Sequence, residues 1–113
     1  MKVMSIEQTN TIDFATIDRA SGDLWLTISD HLPWTENEGG HLLLLQKKLD
    51  AYLAFIESGE IYEMVKDARG RNIVINLIGK FALSEKANRY VQLERAAIEE
   101  AGFQLQFSFL PFN

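Results

Sequence analysis

The chain reads as a small α+β protein with two layers. A four-stranded mixed sheet carries two main helices on one face, in the order β-β-α-(α)-β-α-β. Three observations predict this. Four segments have strand-like composition or alternation, and two longer segments each carry one apolar stripe at helical spacing. The second of those helices lies between two strand segments, as in a parallel crossover unit. A one-sided helix and a one-sided strand bury their apolar faces against each other, so the helices gather on one face of the sheet.

Residues 1–10 are polar and aperiodic, and read as a loose lead-in to one domain spanning residues 1–113. Ile12-Asp13-Phe14-Ala15-Thr16-Ile17-Asp18 is rich in β-formers. The turn signal Ala20-Ser21-Gly22-Asp23 follows, then Leu24-Trp25-Leu26-Thr27-Ile28-Ser29, which alternates strictly. Two such segments around a short Gly-containing turn make a β-hairpin. Residues 30–40 read as a loop, because Pro33 cannot donate to a ladder and Gly39-Gly40 interrupts any period.

From His41 a helical stripe begins with Leu42, Leu45, Leu49, Tyr52, Leu53 and Ile56. Leu43, Leu44 and Phe55 widen its apolar arc, while Gln46, Lys47, Lys48, Asp50 and Glu57 fall away from it. Gly59 stands where a left-handed cap ends such a helix. Ile61–Asp67 offers a further turn or two of helix, and Ala68-Arg69-Gly70-Arg71 a turn. The β-branched run Asn72–Gly79 predicts a central strand. Ser84 is a good N-cap for a helix with the inner stripe Ala87, Tyr90, Val91, Ala97, Ile98 and Ala101, closed by Gly102. Phe103–Phe109 alternates as a strand with one wet face does. The second face of the sheet would then expose Asp13, Trp25, Thr27, Ser29, Val74, Asn76, Ile78, Gln104, Gln106 and Ser108.

Composition narrows the function classes. At 113 residues with 47% hydrophobic and 11% aromatic content, the chain can build a core without staples. It has no cysteine, so disulfides, thiolate metal sites and cysteine nucleophiles are excluded, in keeping with a reducing cytoplasm. A net charge of −5 and basic runs no longer than Lys47-Lys48 and Arg69-Gly70-Arg71 argue against nucleic acid and against anionic membranes. The longest apolar stretch, Leu42–Leu45, is far below a membrane span, and the first residues lack a signal-peptide core. No serine elbow, phosphate loop or dinucleotide fingerprint occurs, and no cofactor is implied.

Two candidate sites remain. Trp25, Thr27, Val74 and Ile78 form an apolar patch on the second sheet face, which fits a protein interface or a possible homodimer. Equally, the segment Ile61–Val65 or the N-terminal residues could cover that patch. Trp34 either caps the core or stands out as a contact anchor. The alternative is a metal-dependent protein or small enzyme using Asp30, His31, Glu38 and His41. Imidazole and carboxylate suit divalent ions and proton transfer, although the spacing matches no metal motif. The preferred reading is a non-enzymatic interaction or accessory module, and an acidic domain of this size suits a basic partner, as immunity-type proteins do.

Leu26-Thr27-Ile28-Ser29-Asp30-His31-Leu32-Pro33-Trp34, His41-Leu42, Leu45-Gln46-Lys47-Lys48-Leu49 and Tyr52–Glu60 together resemble a family of small bacterial proteins classed as a domain of unknown function. Ile12-Asp13-Phe14, Ile17-Asp18 and Ala101-Gly102-Phe103 fit the same pattern. The resemblance spans nearly the whole chain and implies one domain of bacterial origin. It implies no activity, cofactor or site residue.

Overall fold

Strand β1 (Phe14–Ile17) turns back into β2 (Leu24–Asp30) as an antiparallel hairpin, in a computed structural model that describes residues 14–111. The turn is held by Asp18, whose carboxylate accepts from both the amide and the hydroxyl of Ser21. Gly22 supplies the positive φ of 78° that the reversal needs. Arg71 then ties this turn to a distant one, donating to the Gly22 carbonyl and to the Asp67 carbonyl, each at 2.7 Å.

Helix α1 (Glu38–Glu57) follows, then the short α2 (Glu60–Met64), β3 (Ile73–Gly79), α3 (Glu85–Glu100) and β4 (Gln104–Phe109). The sheet has four strands in the order β1-β2-β3-β4, with β2, β3 and β4 mutually parallel. Both crossovers step the same way along the sheet, so with the usual right-handed sense both main helices fall on one face. The expected α+β architecture and element order are those observed.

One contiguous core joins Leu24, Leu26 and Ile28 of β2 with Ile73, Ile75 and Leu77 of β3, Leu105 of β4, Leu45, Leu49 and Tyr52 of α1, and Val91 and Ile98 of α3. Arg95 of α3 donates to the Leu105 carbonyl at 3.1 Å, and the Tyr52 hydroxyl donates to the Thr27 carbonyl at 3.0 Å. Ser84 caps α3 as its sequence position implies, accepting from the Ala87 amide at 3.1 Å.

Several local expectations are corrected. Helix α1 begins before Gly39-Gly40, because Asn37 accepts from the Gly40 amide and caps the helix from outside. Lys48 does not lie on a wet face; it is wholly buried, with its ammonium 5.6 Å from the Tyr52 ring centre. Ala97 and Ala101 of the expected α3 stripe are exposed, so Ala87, Val91 and Ile98 carry the packing. Ile61 is fully buried within the main core, so α2 packs with the helices and does not cover the second sheet face. Residues 1–10 and Asp13 lie outside the described residues.

The second face itself is the largest correction. Among the described residues of the expected list, only Gln104 and Gln106 are exposed. Val74 and Asn76 are buried, and Trp25, Thr27, Ser29, Ile78 and Ser108 are half-buried. Part of the reason is lateral: β3 is central, and Val74 sits between Trp25 of β2 and Gln104 of β4. Alternation assigns a face, whereas exposure also depends on the neighbours across the sheet.

Candidate functional site

The parallel strands β2 and β3 end at Asp30 and Gly79, and the N-termini of α1 and α3 return to the same edge of the sheet. In open α/β sheets this edge is where ligands usually sit. Asp30 and His41, singled out for their chemistry, meet here. His41 Nε2 lies 2.6 Å from Asp30 Oδ2, with both residues almost completely buried. Asp30 Oδ1 accepts from the Leu32 amide at 3.1 Å, which bends the chain out of the strand.

The other nitrogen, His41 Nδ1, lies 3.2 Å from the Pro33 carbonyl oxygen. A carbonyl only accepts, so any hydrogen bond here is donated by Nδ1. The other ring nitrogen faces the Asp30 carboxylate, so each nitrogen has an oxygen partner inside the chain. Trp34 stacks on the imidazole, with ring centres 3.4 Å apart and planes 14° from parallel. Trp34 is only 6% exposed and belongs to the main core, so it caps the core and does not protrude as an anchor.

This geometry determines what the cluster can do. A general base or a metal ligand needs a ring nitrogen lone pair turned toward substrate or metal. In His41 both nitrogens already face partners inside the chain. The Asp30–His41–Trp34 cluster therefore works as a latch between the end of β2 and the first turn of α1. His31 and Glu38 are half-buried, and among the described residues no three His, Cys, Asp or Glu side chains are grouped to hold a metal ion. Beside the latch lies a pocket of ≈ 270 Å³, lined by Leu32, Pro33, Glu36, Asn37, Gly40, His41 and Leu44.

The second sheet face holds a different kind of feature. Val74 is buried yet stands outside the main core cluster. Next to it, the indole Nε1 of Trp25 and the amide Oδ1 of Asn76 are buried with no hydrogen-bond partner among the described residues. Asn76 Nδ2 reaches Thr27 Oγ1 at a long 3.5 Å. An unsatisfied buried donor or acceptor costs roughly 1–3 kcal/mol, so such groups usually find a partner. The alternation of β3 predicts Asn76 among the solvated residues. Its signal was there all the same: an amide in the middle of a β-branched central strand.

A family model matches residues 4–111. The chain belongs to the family of unknown function DUF6572. Its match runs from before β1 to beyond β4, so both the latch and the second sheet face lie inside the family's span. No curated protein and no solved structure matches the chain. No helix among the described residues is long and apolar enough to cross a membrane.

Proposed function

We propose that the protein is a non-enzymatic protein-interaction module that engages its partner through the second face of the sheet. The observation that carries this reading is the pair Trp25 Nε1 and Asn76 Oδ1, a donor and an acceptor on one sheet face, each buried with no hydrogen-bond partner among the described residues. Around them Trp25, Thr27 and Ile78 are half-buried and supply contact surface at the rim of the face. The burial of Val74 confines contact to the rim of this face. A net charge of −5 suits a basic partner, and an accessory or immunity-type role in the cytoplasm is the form such a module would take. The saturated hydrogen bonding of His41 speaks against the metal-dependent or enzymatic alternative.

The test is partner capture by wild type, Trp25→Asp and Asn76→Ala, with circular dichroism to verify folding. A partner retained by wild type and lost by both folded variants supports the reading. Equal capture by all three chains removes the second face from any role in binding.

A further inference from the structure

We infer that the outer edge of β4 pairs with the same edge of a second copy of this chain, the two strands running antiparallel about a two-fold axis. Among the described residues β4 has a strand neighbour on one side only. The direction of its backbone groups follows from one bond: the Leu110 amide donates to the Gly79 carbonyl at 2.8 Å, so residue 110 faces β3. In a parallel strand each residue sends both backbone groups to one side, and the sides alternate. Gln104, Gln106 and Ser108 therefore face β3, while Leu105, Phe107 and Phe109 face outward. The Leu105 carbonyl is occupied by Arg95 Nε at 3.1 Å. Among the described residues, the Leu105 amide and the amides and carbonyls of Phe107 and Phe109 remain.

Edge strands are ordinarily guarded by lysine, proline or a bulge. Gln104–Phe109 contains no charged residue and no proline, and Pro111 comes only beyond the residues that would pair. At the other edge, the described part of β1 is four residues long and runs into Asp18-Arg19. Setting Phe107 opposite Phe109 of the second copy closes hydrogen-bonded pairs on both sides of the axis and leaves the Arg95–Leu105 bond intact. Opposed residues then share a face: Phe107 meets Phe109 on the helix side, and Ser108 meets its own copy on the other. Exposed apolar side chains gather at this end, with Phe109 54% and Leu110 55% exposed, and Phe81 40% exposed just beyond Gly79. A chain of net charge −5 repels its copies in general, so an uncharged strand is where two can approach. The edge is smaller than a standard interface, which makes the dimer concentration-dependent.

Ser108→Cys is the direct probe, because the chain has no cysteine and a residue facing its own copy in a non-hydrogen-bonded pair brings the two Cβ atoms close. Under mild oxidation Ser108→Cys should accumulate as a covalent dimer, and Thr16→Cys on β1 should not. Light scattering over a concentration series should show wild type rising from 12.9 kDa toward twice that mass. Phe109→Lys, which sets like charges near the axis, should weaken association by on the order of tenfold while keeping its circular dichroism spectrum. Wild type that remains monomeric up to its solubility limit overturns the inference. So does a dimer that Ser108→Cys fails to trap and Phe109→Lys fails to weaken.

Discussion

His41 Nε2, in the first turn of α1, lies 2.6 Å from Oδ2 of Asp30, the last residue of β2, across 11 positions of sequence. Both side chains are buried, so the contact is made where water cannot replace it. It joins the strand end to the helix start, and the Pro33 carbonyl and the Trp34 ring complete the enclosure of the imidazole.

Removing one member of a buried polar pair strands the other, at a cost of about 3–5 kcal/mol. Asp30→Ala and His41→Ala should each lose that much in denaturant unfolding. The double variant should lose little more than either single one, because one interaction cannot be lost twice. Fully additive losses would show that the two residues act independently.

Because both His41 nitrogens are already bonded, a divalent ion gains no ligand from the ring. The midpoint of thermal unfolding should be unchanged by EDTA, and by zinc added in modest excess to wild type or to His31→Ala/His41→Ala. A stoichiometric metal in the purified protein, or a zinc-dependent rise in midpoint lost in the double variant, would restore the metal reading.

At Gly79 a methyl group would stand 2.8 Å from the Phe107 ring and 3.0 Å from the Phe81 carbonyl. One of those obstacles is backbone and cannot swing aside. Gly79→Ala should therefore cost about 1–3 kcal/mol by overpacking, even though alanine usually favours folding over glycine. Equilibrium unfolding in urea checks this, and an unchanged or higher midpoint refutes it.

Tyr90 gives the pH prediction. Burial, followed by the nearby Glu94 and Asp50 carboxylates, holds its phenol above the ordinary value of 10.0. Glu94 is near enough to disfavour a phenolate. The folded chain keeps this proton more tightly than the unfolded chain. Stability is therefore untouched below pH 10.0 and falls as pH rises from there through the raised folded value. Tyr90→Phe should flatten that alkaline decline and change stability by no more than about 1 kcal/mol at neutral pH. Identical alkaline profiles for both chains would count against it.

The α+β class, the element order, the Ser84 cap and the core faces of β2, β3 and β4 were legible in the residues. Each depends on periodicity or on a cap formed within a few positions of chain. The register of β1, by contrast, puts Ala15 and Ile17, on the odd-numbered side expected to be outward, opposite the core residues Leu26 and Leu24. Only the tertiary structure decided the fate of single polar groups. Lys48 sits off the helix stripe yet is fully buried, Asn76 alternates outward yet is shielded, and Asp30 and His41 became one latch where two ligands had been considered. Local pattern says which way a side chain leaves the backbone. Whether it then meets water depends on residues far away in sequence, and that information arises only when the layers close.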